Sequence, residues 1–284
     1  MPRSRSFAVS THLYHGQRLN RDHLREVAAA GFDAVELFAT RTHFDYHSES
    51  ATADLQGWLA DARLGLASVH APVAESFSAG RWGAPLNLAS GDAAQRERAL
   101  EEAMRALHIA RRLPFRTLVA HMGVPRSPMQ APGSSTRDAA RRSLEALVDA
   151  AVPLGVTIAV EVLANELSKA GSLVYFIENV LDAGAVSICL DLGHAHLEGD
   201  VVDVIETVSE HVALVHASDN RGRNDDHLLP FDGTIDWAAA LTALQKVGYD
   251  GTVVLEPAPQ GSTRDTLAKA QSVRAKMERL LSTF

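Results

Sequence analysis

Eight short apolar runs recur along the chain with helix-like stretches between them, and this alternation constrains the fold more than any other feature. Most runs are almost continuously apolar until their last few residues, which is typical of strands buried on both faces of a parallel sheet. The runs cover residues 7–13, 34–39, 67–72, 117–123, 157–163, 187–193, 212–218 and 252–258.

The intervening stretches carry helical periodicity. Residues 92–112 place Leu100, Ala103, Met104 and Leu107 at i, i+3, i+4 and i+7, which is the buried stripe of an amphipathic helix. Similar patterns occupy residues 136–152, 172–183, 236–247 and 264–281.

Strands that alternate with helices, without a linker-like break, predict an α/β fold. We expect one domain of residues 1–284 that forms a single (β/α)8 TIM barrel. A doubly wound sheet is the alternative, but it usually carries a Gly-rich phosphate loop after its first strand. Residues 10–16 contain one glycine and no such pattern, so the barrel is favoured.

Composition narrows the class of partner. Hydrophobic residues make up 46% and charged residues 22%, as in an ordinary globular protein and unlike a disordered chain. The chain has 27 Lys and Arg against 35 Asp and Glu, a net charge of −8, which argues against nucleic acid as a partner. One cysteine, Cys189, excludes an internal disulfide and a cysteine-based zinc finger.

The first 16 residues lack the apolar run of a signal peptide, and no run approaches 18 apolar residues. We therefore expect a cytoplasmic protein with no membrane partner. Barrels of this kind often pair as a homodimer, but the sequence does not decide the oligomeric state.

Seven of the eight predicted strands close with a side chain that can bind a metal ion or exchange a proton. The active site of a TIM barrel lies at the carboxyl ends of its strands. A lone histidine or glutamate there is more often structural, but several buried carboxylates in one barrel mouth repel one another unless a cation joins them. The seven residues are Glu36, His70, His121, Glu161, Asp191, His216 and Glu256.

The last four of these residues, Glu161, Asp191, His216 and Glu256, end the fifth to eighth predicted strands, which neighbour one another around a barrel. Three carboxylates and one imidazole suit one divalent ion such as Mn²⁺, Mg²⁺, Co²⁺ or Zn²⁺. Such an ion would stay Lewis-acidic and open to a substrate oxygen.

Loops after the strands should supply the rest of the site. His194 follows Asp191 by three residues across a turn, and Asp225 and His227 form an Asp-x-His pair that is either a further metal-binding element or part of a solvated loop. Trp82 lies in one of the three loops expected to select the substrate, which are residues 41–50, 73–91 and 123–135.

Six segments together resemble the xylose isomerase-like TIM barrel superfamily, in its sugar phosphate isomerase/epimerase branch. They are VELF (35–38), SVHAP (68–72), VEVLANE (160–166), CLDLGHAHLEGD (189–200), VHASDNRGRNDDHLLPFDGTIDW (215–237) and VVLEPA (253–258). The branch includes ketose 3-epimerases, hydroxypyruvate isomerase-like enzymes, and inosose isomerases and dehydratases. The sequence departs from the usual Gly-Glu/Asp-Gly at Phe231-Asp232-Gly233, which leaves the shape of the pocket edge open.

The resemblance implies roles for individual residues. It identifies the metal ligands as Glu161, Asp191, His216 and Glu256, with Glu161 and Glu256 also exchanging protons with substrate. It places His194 against a carbonyl or hydroxyl of the substrate. It also implies that His70 and His121 line the pocket, and we expect Glu36 and Trp82 to shape it.

These roles predict a metal-dependent isomerase or epimerase of a sugar, sugar phosphate or polyol ketone. One glutamate removes a proton next to the carbonyl and the other returns one, through an enediolate. A dehydratase of the inosose type would instead expel a β-hydroxyl.

The same superfamily contains endonuclease IV-like enzymes that hold three zinc ions and cleave abasic DNA. All nine ligand types of that group are present here: His70, His121, Glu161, Asp191, His194, His216, Asp225, His227 and Glu256. The nuclease is therefore the alternative function, although the charge of −8 disfavours it.

Overall fold

A computed structural model describes residues 6–125, 134–181 and 186–282. The strands of this part of the chain are β1 (Phe7–Ser10), β2 (Ala34–Phe38), β3 (Gly65–His70), β4 (Phe77–Ser78), β5 (Arg81–Trp82), β6 (Thr117–Ala120), β7 (Thr157–Glu161), β8 (Val186–Asp191), β9 (Val212–Ala217) and β10 (Val253–Leu255). Strands β4 and β5 pair as an antiparallel hairpin, and the others pair in parallel.

The parallel strands close into a barrel in the order β1, β10, β9, β8, β7, β6, β3, β2. Once the hairpin is set aside, neighbouring strands in the barrel are consecutive along the chain. The exception is the pair β1 and β10, the first and last strands, which closes the barrel. This is the predicted (β/α)8 topology. The α/β TIM barrel is thus confirmed.

Helices follow the strands and form the outer layer. They are α1 (Arg21–Ala29), α2 (Glu49–Ala62), α3 (Ala93–Leu107), α4 (Arg137–Ala151), α5 (Ala170–Asn179), α6 (Leu192–Glu198), α7 (Val201–Val208), α8 (Trp237–Lys246) and α9 (Thr263–Ser282).

Local sequence explains where several helices begin. The side chains of Asn20, Ser48, Asp92 and Thr136 each accept a hydrogen bond from a backbone N–H in the first turn of the following helix. Such caps stabilise a helix by about 0.5–2 kcal/mol each. After α1 the chain turns at Gly31 with φ of 81°, a left-handed conformation that favours glycine.

The core has two layers. The larger layer packs the outer faces of the strands against the helices and includes Leu24, Leu107, Leu144 and Trp237. The smaller layer fills the inside of the barrel with mostly small residues, which are Ala8, Val119, Ala159, Cys189, Leu214 and Val254. This inner layer makes the barrel a packed body and not a pore.

The connections differ from the prediction in three places. The loop at 73–91 contains the hairpin β4–β5. The turn expected directly after Asp191 is the start of the short helix α6, and a second short helix, α7, follows it. The helix predicted over residues 172–183 is α5, which starts and stops earlier, and residues 182–183 lie outside the described ranges.

Candidate active site

Four donor side chains lie on or directly after consecutive strands of the barrel. Glu161 is the last residue of β7, Asp191 is the last of β8, and His216 lies one residue before the end of β9. Glu256 directly follows β10. Asp191 and His216 are also register partners. Since parallel strands present their carboxyl ends at one end of the barrel, the strand order brings these four residues together.

The four side chains form a compact, buried cluster, which we call the four-donor cluster. One donor atom from each lies within 4.8 Å of the others. Nδ1 of His216 is 3.2 Å from Oε2 of Glu256 and 3.5 Å from Oε1 of Glu161. Nδ1 of His216 and Oδ2 of Asp191 are buried without a hydrogen-bond partner. Unpartnered buried polar atoms are costly, and a divalent cation would satisfy both, so the donor set fits a metal ion.

Within the cluster, burial and the neighbouring charges shift the pKa values of Glu161, Glu256 and His216 in opposite directions. Burial alone would raise the pKa of Glu161 and of Glu256, but the surrounding histidines hold both well below the usual range. Burial raises the pKa of Asp191 to about 6. It would lower the pKa of His216, yet the negative groups around this ring raise that pKa well above its usual value. The two glutamates are therefore ionised at neutral pH, with imidazolium groups as their counter-charges.

A second set of donors shares Glu161. Its Oε2 lies 3.0 Å from Nε2 of His70 and 2.8 Å from Nε2 of His121, whereas Oε1 faces the four-donor cluster. Donor atoms of His70, His121 and Glu161 also lie within 4.8 Å of one another. Glu161 is thus positioned to bridge two sites.

A third set surrounds Asp225. Its Oδ2 lies 3.1 Å from Nε2 of His194 and 3.2 Å from Nε2 of His227. His194 belongs to α6, whose N-cap is Asp191, and the Asp191 carboxylate accepts a hydrogen bond from the backbone N–H of His194. The three-residue spacing therefore reflects a helix cap, and it places the His194 ring 3.3 Å from Oε1 of Glu161.

A cavity of about 430 Å³ opens over these sets. Glu161 and Glu256 reach its wall, while Asp191 and His216 lie beneath it. His12 stacks on His15 at 4.6 Å between ring centroids, and the exposed Trp82 stacks on His15 at 5.4 Å. The cavity therefore combines a polar floor of carboxylates and imidazoles with an aromatic side wall.

The substrate-binding residues expected from sequence divide into two groups. His70, His121, His194 and Trp82 line the cavity, with Trp82 carried there by the hairpin β4–β5. Glu36 does not. It lies inside β2, is fully buried, and is bonded to Ser68 and His216 below the cavity, so the expectation that it shapes the pocket wall is corrected.

Sequence reasoning missed part of the wall. His12 and His15 follow β1, the strand for which we expect no functional residue at its end, and Phe38 is the last residue of β2, for which the expected residue is Glu36; all three line the cavity. The departure at Phe231 has a local consequence: this residue adopts φ of 75°, a conformation that favours glycine. Phe231 is outside the cavity lining, so the departure leaves the described pocket edge unaffected. Of the loop 123–135, residues 126–133 lie outside the described ranges.

Comparison with known proteins identifies the family of the chain. A family model described as xylose isomerase-like TIM barrel matches residues 24–280. The chain belongs to this family. It is also similar to the protein MJ1311 of Methanocaldococcus jannaschii, uncharacterized by its name, at 26% identity over 96% of this chain and 89% of that protein.

Solved structures share the barrel fold of this chain. A D-tagatose 3-epimerase-like protein aligns with a TM-score of 0.80 and 24% identity, covering 98% of both chains. D-psicose 3-epimerase of Clostridium cellulolyticum H10 aligns at 0.76 and 20%, covering 97% of this chain and 99% of that one. An AP endonuclease of family 2 from Brucella melitensis aligns at 0.68 and 24%, covering 93% and 97%. At these identities the likeness establishes the fold.

No helix within the described ranges is both long and apolar enough to span a membrane.

Proposed function

We propose that this protein is a metal-dependent isomerase or epimerase that moves a proton on the carbon next to a carbonyl of a small sugar or polyol ketone. One observation carries the proposal: Glu161 and Glu256 belong to the same four-donor cluster and are the two members of it that reach the cavity. Two carboxylates with access to one bound molecule are what an exchange of protons between two faces or two carbons requires.

The ion would be held by Glu161, Asp191, His216 and Glu256. Oxygen donors with one imidazole suit Mn²⁺, Mg²⁺, Co²⁺ or Zn²⁺. When bound, the ion supplies Lewis acidity that stabilises negative charge on a substrate oxygen.

The protein's own groups carry the proton. The depressed pKa values of Glu161 and Glu256 keep both carboxylates ionised and able to accept it at neutral pH. One of them removes the proton as a carboxylate, and the other returns a proton that it has taken up from solvent. Return to the opposite face of the same carbon gives an epimer, and return to the neighbouring carbon gives an isomer. His194, in the cavity wall and 3.3 Å from Glu161, donates a hydrogen bond to a substrate oxygen.

The cavity wall favours an uncharged substrate. None of the described residues that line it is a lysine or an arginine, the residues that commonly hold a phosphate group. The aromatic side wall offers an apolar surface for the C–H face of a sugar ring or chain. A free ketose or cyclic polyol ketone therefore suits this cavity better than a sugar phosphate.

The test combines metal analysis with proton exchange. We would measure bound metal by elemental analysis and then follow deuterium incorporation from D₂O into a panel of ketoses, inososes and hydroxypyruvate. We expect one essential ion per chain and incorporation that Glu161→Gln or Glu256→Gln each abolishes. Product analysis of the same reactions separates an epimer or isomer from the deoxy-ketone of a dehydratase. Full incorporation by both variants would refute the proposal.

A second candidate is an endonuclease IV-like enzyme that cleaves abasic DNA with three zinc ions. The observation that favours it is the second set of donors, His70 and His121 with the shared Glu161. His194, Asp225 and His227 are also gathered. Three zinc ions per chain together with cleavage of an oligonucleotide at an abasic site would establish this function in place of the isomerase.

A further inference from the structure

A buried carboxylate lies outside the donor sets and outside the cavity. Glu36 is in the middle of β2, is 0% exposed, and is absent from the cavity lining. Burying a charged group costs several kcal/mol, roughly, unless partners compensate for lost hydration. A barrel interior otherwise filled with small apolar residues does not need a glutamate for packing, so the partners of Glu36 indicate what it does.

Both partners meet the same oxygen. Oε2 of Glu36 accepts a hydrogen bond from Oγ of Ser68 at 2.8 Å and lies 3.0 Å from Nε2 of His216. Ser68 is the register partner of Glu36 on β3, and it is fully buried as well. The carboxylate is therefore fixed from one side by the neighbouring strand and directed at the imidazole from the other.

The bond to Glu36 determines which nitrogen of His216 faces the four-donor cluster. A histidine that binds a metal ion is a neutral imidazole, with one N–H and one lone pair, so His216 must give up the second proton that it carries in the metal-free cluster. With the N–H at Nε2 donated to Glu36, the lone pair is at Nδ1, and Nδ1 is the atom that lies 3.2 Å from Glu256 and has no hydrogen-bond partner.

We propose that Glu36 is a positioning residue that holds the ring of His216 in the orientation and tautomer in which Nδ1 binds the divalent ion, with Ser68 fixing the carboxylate. This rests on the proposed metal site of the four-donor cluster. A carboxylate on the far nitrogen also makes a histidine ligand more basic, and loss of such a partner typically weakens metal binding or activity about 10- to 100-fold.

The experiment uses the full chain, stripped with a chelator and titrated with Mn²⁺ by calorimetry and with Co²⁺ by visible absorption. Glu36→Gln keeps the volume and removes the charge. Glu36→Leu removes the acceptor altogether. Glu102→Gln is the matched control, because Oε2 of Glu102 also accepts from a hydroxyl, that of Tyr46, and pairs with Nε2 of His47, on the outside of the barrel.

We expect the Kd for Mn²⁺ to rise about 10-fold in Glu36→Gln and about 100-fold in Glu36→Leu. We also expect both Glu36 variants to change the Co²⁺ absorption spectrum, because the ring orientation and basicity of a ligand set the ligand field. Glu102→Gln should keep the wild-type Kd and spectrum. If Glu36→Leu does not fold, Glu36→Gln alone decides.

Two results would overturn the inference. A lower Tm of the metal-free variants with an unchanged Kd and Co²⁺ spectrum would assign Glu36 a structural role only, and would leave the proposed function intact. Absence of Mn²⁺ and Co²⁺ binding to the wild-type protein would refute the metal site itself, and the inference would fall with it.

Discussion

Oε2 of Glu161 lies 2.8 Å from Nε2 of His121, while Oε1 of the same carboxylate lies 3.5 Å from Nδ1 of His216. One side chain therefore belongs to two donor sets, and the number of bound ions tells whether both are used. With a single ion in the four-donor cluster, His121→Ala should still bind one Mn²⁺ per chain, and Glu161→Gln should bind none at the same concentration.

Elemental analysis after gel filtration measures both stoichiometries. A wild-type protein that holds two or three ions, one of which is lost in His121→Ala, would contradict the single-ion site and favour the second candidate function.

Gly193 offers a test of the cluster that removes no donor. A Cβ at this position would clash with Oγ of Ser218 and would lie 3.1 Å from Oδ1 of Asp191. We expect Gly193→Ala to displace Asp191, to cost about 1–3 kcal/mol of unfolding free energy from overpacking, and to weaken Mn²⁺ binding. Calorimetric titration and urea unfolding measure the two effects.

The double variant Gly193→Ala/Ser218→Ala is the control. The hydroxyl of Ser218 is buried without a partner, so its removal should cost little and should make room for the new methyl group. If the metal affinity of the double variant stays as low as that of Gly193→Ala, the contact with Ser218 is not the cause of the weaker binding.

Sequence alone predicted the barrel and the meeting of the four donors, because both follow from strand order. It could not place Glu36, which precedes the end of its strand and pairs with His216 from a distant strand. Nor could it find the role of Asp225, since the bridge from this residue to His194 depends on how a long loop folds back. Side-chain direction and loop path are tertiary properties that a local pattern does not contain.

Asp219 stabilises the loop between β9 and α8, residues 218–236, through hydrogen bonds. It is fully buried, and its two oxygens accept hydrogen bonds from the indole of Trp237 at 2.8 Å and from the backbone N–H groups of Asn220, Phe231, Gly233 and Ile235. Asp219→Ala leaves these donors unsatisfied, and each buried orphan costs about 1–3 kcal/mol.

Urea unfolding should therefore show a loss of at least about 3 kcal/mol in Asp219→Ala, from several such donors. Asp232→Ala, an exposed position in the same loop, should stay within about 0.5 kcal/mol of wild type. Equal stability of the two variants would be incompatible with this role for Asp219.

Trp82 should contribute to substrate binding in the cavity. It is 44% exposed, stacks on His15, and forms part of the aromatic wall. Trp82→Ala should raise KM for the substrate with little change in kcat, because we expect the ring to contact the substrate away from the reacting carbon. Trp82→Phe retains an aromatic face and should recover most of the affinity. A fall in kcat at constant KM would place Trp82 in the chemical step instead.

The buried ring of His43 should make the free energy of unfolding depend on pH. The ring is fully buried, Nδ1 donates to the backbone carbonyl of Gln17 at 2.7 Å, and Nε2 has no partner. Burial lowers the pKa of His43 to about 4, aided by the nearby His23 and His15. In the unfolded chain the pKa of this histidine is the ordinary value of about 6.5. Between about pH 4 and pH 6.5 the ring is therefore protonated in the unfolded chain and neutral in the folded protein.

The sign follows from this difference in bound protons. The contribution of His43 to stability is complete above about pH 6.5 and is lost as the pH falls to about 4, a change of about 3 kcal/mol. His43→Asn keeps a donor near the Nδ1 position and removes the titration. Urea unfolding at pH 7.5 and pH 4 should show a drop in free energy about 3 kcal/mol smaller in His43→Asn than in wild type. Equal drops in the two proteins would mean that His43 is already protonated in the fold or takes its proton without penalty.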